Sequence, residues 1–391
     1  MTSRTPERVD VAVVGGGPVG LFLGCCLVRR GVSCVVLERR AEPVARPQAI
    51  GIHPVGLELF DREDLAERMI AAGLRVPGGA AISTGGRRLG TLRFDRIRSP
   101  YRFVLSVPQP EIEAILEDRL GELGRHALQR GVEVVEVDRR DDGCRVLGRR
   151  EDGSPVVVEA AVAAGCDGKR SIVRQSAGIR FEGGPYPDSY VMGDLADVSS
   201  LGDDAAIFLH SDGVVESLPM PAGVRRWVCR VPERAARSEE PRALLEREVL
   251  RRTGVDLSDA RAEAVDPFTA ERYLAQRCAD GPIVLAGDAA HVTSPIGGQG
   301  LNLGWRDAWA LGELLSRIPA HGSDGVLGSY DHWCRRSALL ARRRSEAFMW
   351  LGRPRRWPWP RDAVLALLLR TPASGRLAHM FAMGGFPSPP V

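Results

Sequence analysis

Lysine is almost missing from this chain: Lys169 is the one example, and arginine makes up nearly all of the 53 basic residues. That scarcity removes lysine from most mechanistic roles. An excess of charge is missing too. The 53 basic and 50 acidic residues leave a formal charge of +3, so nothing points to nucleic acid as a partner. Cysteine is present but unpatterned. Cys25, Cys26, Cys34, Cys144, Cys166, Cys229, Cys278 and Cys334 form no C-x-x-C and no zinc spacing, and they read as buried thiols in a reducing cytosol. No stretch approaches the roughly 18 uninterrupted apolar residues that a spanning helix needs. Residues 1–10 are polar and carry both charges, which excludes the apolar core of a signal peptide. A cytoplasmic protein with no transmembrane segment is expected, of either monomeric or homodimeric state. Internal repeats and low-complexity tracts are also lacking.

What is there is a globular chain of 391 residues, 44% hydrophobic and 26% charged. Such a length suits two or three ordinary domains or one large α/β unit with an inserted layer. The first 40 residues switch period cleanly: a buried strand over Val9–Val14, a glycine turn over Gly15–Gly20, a helix over Leu21–Arg30 closed by Gly31, and a second strand over Val32–Leu37 ending at Glu38. Gly15-Gly16-Gly17-Pro18-Val19-Gly20 satisfies G-x-G-x-x-G in a βαβ setting, with an acid eighteen residues beyond it. Each glycine has a reason. Gly15 permits the turn, Gly17 lets backbone approach a pyrophosphate, and Gly20 lets the helix pack close. The helix N-terminus, with Pro18 setting its first turn and Val19 next to it, offers free N–H groups beyond the proline and a positive dipole end. Glu38, with Arg39 beside it, is placed to meet adenosine ribose hydroxyls.

Further along, a helix is expected over Pro54–Gly73, irregular strands over Pro77–Thr91 and a helix over Pro110–His126. Strands follow near Val132–Val137, Cys144–Leu147 and Val156–Ala163. From Arg180 to about Phe268 the texture becomes β-like, with one helix at Pro241–Thr253. A buried strand at Pro282–Ala286 and a helix over Gly300–Ile318 then return to the earlier style. The expected class is α/β: a Rossmann-like dinucleotide-binding domain, assigned to FAD by the segments below, discontinuous over 1–75, 100–179 and 270–320, interleaved with a substrate domain of 76–99 and 180–269 built on a mostly antiparallel sheet. A C-terminal helical region takes 321–391. Its arginine-rich stretch, Arg335–Arg361, reads as a solvated helix face, and Gly384–Val391 as a frayed tail.

The glycine turn alone does not separate FAD from a nicotinamide cofactor. Two later segments do: Gly165-Cys166-Asp167-Gly168-Lys169-Arg170-Ser171, and Gly287-Asp288-Ala289-Ala290-His291 running on to Pro295-Ile296-Gly297-Gly298-Gln299-Gly300-Leu301-Asn302. In the second, a strand ends at Asp288, where a carboxylate can bind the ribityl chain that FAD has and NAD lacks. The glycine-rich loop after it opens a helix whose N–H groups can face the pyrimidine edge of a reduced flavin.

On these segments, with Arg46-Pro47-Gln48-Ala49-Ile50-Gly51-Ile52 and Gln109 ahead of its helix, the chain resembles the class A flavoprotein monooxygenases. These are the FAD-dependent aromatic hydroxylases with the para-hydroxybenzoate hydroxylase fold. The resemblance runs over roughly 9–318. It implies that Asp167 lies near the pyrophosphate and serves both FAD and NADPH, that Asp288 binds the flavin ribose, and that Arg46 and Gln109 contact FAD. It also implies that Pro295, Gly298, Gly300, Leu301 and Asn302 line the isoalloxazine. Members of this family often carry an arginine where this chain has Gln48, which leaves NADPH against NADH open. Larger members append a thioredoxin-like domain for which 391 residues are too few.

The implied reaction is hydroxylation of a phenolic, quinone or indole-like small molecule of secondary metabolism: NAD(P)H reduces a tightly but non-covalently held FAD, O2 adds to give a C4a-hydroperoxide, and this transfers OH to an electron-rich carbon. No metal is expected and no base is assigned; Tyr190, His210 and Tyr273 are candidates by chemistry and region only, and His291 reads as structural. Three other readings stand beside it. A Baeyer–Villiger or epoxidising enzyme shares the scaffold, and so does a flavin-binding protein without oxygenase turnover. A halogenase is disfavoured, because its catalytic lysine has no counterpart except Lys169, inside the Asp167-Gly168 motif.

Overall fold

A computed structural model of the chain describes residues 7–43, 49–317 and 324–390. Two eight-stranded sheets and a small three-stranded one carry the architecture. In the first sheet the parallel core runs Leu128–Arg130, Cys34–Glu38, Glu7–Val14, Pro155–Gly165, Ile283–Leu285. Both faces of this core are covered, so its strands read as near-continuous apolar runs: Val11, Ala12, Val13, Val35, Val36, Val284 and Leu285 are all buried. Val132–Arg140 and Gly143–Arg150 fold antiparallel onto its flank. Helix Pro18–Arg29 packs on this sheet with Leu21, Phe22, Leu23, Cys25, Cys26 and Leu27 inward. Helix Gln299–Leu315 lies against it, close enough that a Cβ at Gly312 would meet Cys26 Cβ at 2.6 Å.

The second sheet is antiparallel apart from one pair. Its order is His291–Val292, Ala262–Ala275, Phe181–Ala196, Val224–Val231, Gly213–Met220, Ala205–His210, Gly78–Ser83, Arg88–Arg93. Strands from before 100 and after 180 thus meet in one layer. The expected boundary at 269/270 falls inside the 14-residue strand Ala262–Ala275, whose far end pairs with His291–Val292. The single helix expected over Pro54–Gly73 is two, Pro54–Arg62 and Ala66–Ala72, broken where Asp64 takes φ +58°. Gly31 follows the C-cap Arg30 at φ +76°, the left-handed turn-off that glycine adopts at no cost. Among the described residues, no helix is long and apolar enough to cross a membrane.

The C-terminal helices Asp324–Gly352, Trp359–Arg370 and Ala373–Phe381 close over the second sheet. Their arginines are not simply solvated. Arg361 is buried and donates to the Leu209 carbonyl at 2.6 Å, while Arg344 donates to the carbonyls of Met380 and Gly384. The tail is docked as well, since the Pro387 carbonyl accepts from Arg306 and from the Trp333 indole. Trp357 and Trp359 do stay exposed.

One contact ties the helices to the sheet. Buried Asp188 accepts from Arg230 at 3.0 Å and from Arg353 at 2.7 Å. Burial alone would raise its carboxyl, but the two guanidinium groups override that and hold it below the usual range. Its contribution is therefore present at neutral pH and lost as pH falls through that lowered value. Asp188→Asn is expected to cost about 2 kcal/mol, below the 3–5 of a fully buried pair because Arg353 keeps contact with water. A lower thermal midpoint at pH 7, with the gap to wild type closing in acid, checks this.

Candidate functional site

The glycine turn is built by backbone contact. Strand Glu7–Val14 delivers Gly15 at φ +104°, where a Cβ would lie 2.5 Å from the Cys166 carbonyl oxygen; a Cβ at Gly20 would lie 1.9 Å from the Gly15 carbonyl oxygen. Gly17 is different: nothing stands within 4 Å of its Cβ position, and it faces a large cavity. Helix Pro18–Arg29 starts there with no side-chain cap and no acid in its first turn, so its free N–H groups and dipole are uncompensated by protein. Buried Glu38 accepts from Gly16 N–H at 2.7 Å and from Arg40 N–H at 2.9 Å, which fixes the carboxylate on the cavity wall beside Arg39. Across from it Gln109 receives the Ala49 N–H and donates to Glu113 at 2.7 Å. Burial raises the Glu113 carboxyl, and the Gln109 bond opposes it.

Strand Pro155–Gly165 brings the second motif alongside. Asp167 Oδ2 accepts from Ile172 N–H at 2.6 Å and Val173 N–H at 3.3 Å, while its Oδ1 is buried without a partner. Burial outweighs these bonds and raises the carboxyl. Arg174 reaches from the same short helix to the Ala289 carbonyl at 2.9 Å and so joins the second motif to the third. Lys169 is held by Glu271 and lies over the Tyr273 ring.

In the third motif Gly287 turns at φ +58°, and Asp288 is open to the cavity while protein hems it in. That enclosure raises its carboxyl; His291 and Lys169 pull the other way. Asp307, on helix Gln299–Leu315, clamps the turn by accepting from Gly287 N–H at 3.1 Å and pairing with His291 Nε2 at 2.6 Å. Burial would lower His291, but Asp307 overrides it and holds the imidazole well above its ordinary value. The loop continues through Gly297 at φ +89° to Gly298 at φ +64°, which caps a helix again lacking a side-chain cap.

These pieces bound one cavity of about 1020 Å³. Gly15, Gly17, Pro18, Val19, Glu38, Arg39, Gln109, Asp167, Asp288, Pro295, Gly298, Gly300 and Leu301 all line it. Gly20 and Asn302 do not. Gly20 is spent on close packing, and buried Asn302 is a strut: its carbonyl accepts from His53 N–H and its amide donates to the Gly51 and Gly298 carbonyls. Arg46 and Gln48 lie outside the described residues. The open sides of Gly17, Gly51 and Gly168, the two uncapped helix starts and the unpaired Asp167 oxygen fit a dinucleotide with a pyrophosphate centre.

Beyond Pro295–Gly298 the cavity turns apolar. Its roof is the inner face of the second sheet, with Met192, Ile207, Val214, Val228 and Phe268, and its floor is Phe348, Leu351, Leu365 and Phe381 of the C-terminal helices. None of the expected base candidates reaches it. Tyr190 is fully buried, stacked at 5.2 Å on its cross-strand neighbour Phe268; Tyr273 stacks on Phe181; His210 turns to the Asp212 N–H. Two residues that sequence reasoning passed over do line it. His53 is held neutral, lowered to about 4 by burial, against the Gly297 carbonyl at 3.2 Å. Glu216 is an acid on the apolar roof. Strict alternation along Val214-Val215-Glu216-Ser217-Leu218 puts Glu216 on the same face as Val214 and Leu218, a signal that groups these three without saying what covers them.

A family model described as an FAD binding domain matches residues 8–345. The chain belongs to this FAD-binding domain family. It is 34% identical over 344 residues to the 12-dehydrotetracycline 5-monooxygenase/anhydrotetracycline 6-monooxygenase of Streptomyces rimosus, covering 83% of this chain and 66% of that one. It is 33% identical over 334 residues to the dialkyldecalin synthase of Streptomyces rugosporus, covering 82% and 68%. The p-nitrophenol 4-monooxygenase PnpA of Pseudomonas putida DLL-E4 has the same fold: TM-score 0.87, 24% identity, covering 97% of this chain and 99% of that one. Of the first curated relatives it matches, the chain spans just under two thirds, 64% and 66%.

The two close glycines separate packing from binding. Gly20→Ala is expected to unfold or strongly destabilise the chain, because the atom 1.9 Å away, the Gly15 carbonyl oxygen, is backbone and not a side chain that can move. Gly17→Ala should leave the melting temperature within about 2 °C and weaken flavin retention at least tenfold, by filling the open side of the turn. Thermal melts beside flavin absorbance after gel filtration check both. The His291–Asp307 pair has the opposite pH sign to Asp188. Its contribution is full below about pH 6.5 and is lost only as pH rises through the raised value. A melting series in which His291→Gln loses stability at neutral pH but converges on wild type in strong alkali checks it.

Proposed function

We propose that this protein is an FAD-dependent monooxygenase that hydroxylates an aromatic, polycyclic small molecule of secondary metabolism, with NAD(P)H and O2 as co-substrates. The observation that carries the reading is the continuity of one cavity from the polar, glycine-edged end at Glu38 to the apolar space between sheet and helices. Its volume stands at the top of the roughly 300–1,000 Å³ usual for ligand sites, as a cofactor and a guest together require. The tetracycline monooxygenase relative supports both the activity and the polycyclic guest. Eight unpaired cysteines suit a reducing cytosol.

When bound, FAD supplies the redox chemistry: it accepts a hydride and activates O2, which closed-shell side chains cannot do. The chain's own residues bind and shield. Gly17 and Val19 present turn and helix N–H groups to the pyrophosphate, with Gly15 and Pro18 shaping the turn beside them, and Glu38 with Arg39 takes the adenosine side. Gln109 and Asp167 flank the middle of the cofactor, and Asp288 receives the ribityl hydroxyls. Pro295, Gly298, Gly300 and Leu301 edge the ring, and the helix N-terminus there favours negative charge on it. Asn302 acts from behind, holding the Gly51 and Gly298 carbonyls in place. The roof and floor orient the guest ring and exclude water from the oxygen-activating centre.

A second reading is favoured by the dialkyldecalin synthase relative, whose name describes ring formation rather than oxygen insertion. Holoenzyme incubated with NADPH, 18O2 and anhydrotetracycline-like or anthraquinone phenols separates the two. The expected result is guest-stimulated NADPH oxidation and a product heavier by one labelled oxygen. A product of unchanged oxygen content, formed without NADPH consumption, would overturn the oxygenase.

A further inference from the structure

Glu216 is an unpaired carboxyl group on a largely apolar wall, where the other charged side chain, Arg226, is tied to Asp194. On its own strand Val214 and Leu218 flank it; across the strands its direct neighbours are Ile207 on one side and Val228 on the other. It has no hydrogen-bond or ion-pair partner among the described residues, although a buried acid is normally paired. Ser217, the next residue, shows the contrast: it points to the other face, where it receives Arg225.

The charged groups around it do not compensate it. Arg226, diagonal to it beside Leu218, is bound through two contacts of 2.6 and 2.7 Å to Asp194. Asp266 lies on the same cross-strand row beyond Met192, and Tyr190 and Arg230 one row away. Ala205, Ile207 and Leu209 of the neighbouring strand are apolar. The floor offers Phe348, Leu351, Leu365, Leu369, Met380 and Phe381, none charged, and the flavin-side loop adds only neutral His53. Burial alone pushes the Glu216 carboxyl up to about 7. A group kept at this cost on the wall of a binding space is in place for a guest.

We propose that Glu216 sets the specificity of the cavity, accepting a hydrogen bond from an aromatic hydroxyl of the guest and turning away aromatic carboxylic acids. The reasoning is one of differences. A carboxylate facing a hydroxyl in a dry site makes a charge-assisted hydrogen bond, whereas a carboxylate facing a second carboxylate has two like charges, and the neighbouring cation, Arg226, is already paired with Asp194. The same wall therefore attracts a phenol and repels a benzoate-type guest of equal ring size. This rests on the proposed oxygenase reading for its purpose, but it concerns binding alone.

The test uses 2-naphthol and 2-naphthoate, which share a ring system and differ in the one group that matters. Their dissociation constants from the flavin-loaded protein are read by fluorescence titration at several values between about pH 6 and 8.5. As Glu216 ionises, the naphthol should bind more tightly and the naphthoate more weakly, so that the ratio of the two constants changes at least tenfold. In Glu216→Gln, which keeps shape and polarity without a charge, the ratio should be flat with pH; in Glu216→Asp the pH dependence should return with smaller amplitude. A ratio independent of pH in the wild type, the same pH dependence in the glutamine variant, or no naphthol binding by the holoprotein overturns the inference. Loss of discrimination with labelled-oxygen incorporation intact removes this proposal alone; discrimination without oxygen incorporation removes the oxygenase reading alone.

Discussion

Contact between bare backbones at the first turn is the constraint on which the site depends. Gly15 and Gly20 let strand, turn and helix meet at distances that admit no Cβ, and the Cys166 carbonyl closes in from the neighbouring strand. Only with this approach do the Asp167 segment and the first helix N-terminus share one wall. The parallel register then places the third motif: Ala163, Ala164 and Gly165 pair with Ile283, Val284 and Leu285, so both strands release their chains on the same side. Asp167 and Asp288 are neighbours because their strands are.

Around this seat the polar groups are mostly consumed in holding one another. Asp307 serves Gly287 and His291, Asn302 serves two carbonyls and His53, and Arg174 bridges the second motif to the third. Buried groups that pair internally fix a geometry, and the few left unpaired, Asp167 Oδ1 among them, show where the protein stops completing itself. Glu38 belongs to both sets: its carboxylate is positioned by Gly16 and Arg40 N–H groups, yet it faces open space.

The parallel half of the fold was legible because its signals are local. Buried strands, a glycine turn and helix stripes each announce themselves within ten residues, and Pro241–Thr253 matches its expected helix at both ends. Most of the motif residues line the cavity, while Gly20 and Asn302 pack behind it. What stayed hidden depends on contacts distant in sequence. Nothing local says that Gly78–Ser83 will pair in parallel with Ala205–His210, or that Ala262–Ala275 spans a boundary drawn from texture. Arg361 and Arg344 look like surface charge until the carbonyls that receive them are in place. Glu216 was missed for the same reason: alternation divides a strand into two faces but cannot say which one a helix layer will cover. Tyr190, in turn, carries suitable chemistry, yet it is fully buried beside Phe268 and does not line the cavity.

The strand Ala262–Ala275 carries Phe268 under the guest roof and, six residues on, pairs Leu274 with His291. An extended backbone of this kind stretches little, since each residue advances the chain by about 3.4 Å, with Phe181–Ala196 paired along one edge and His291–Val292 at the far end of the other. The two seats are therefore gauged against one ruler rather than joined by a hinge. Evolution of a wider or narrower guest space has to act through side-chain bulk on the strands, because lengthening this one would pull the imidazole away from its carboxylate partner and loosen the cofactor end at the same stroke.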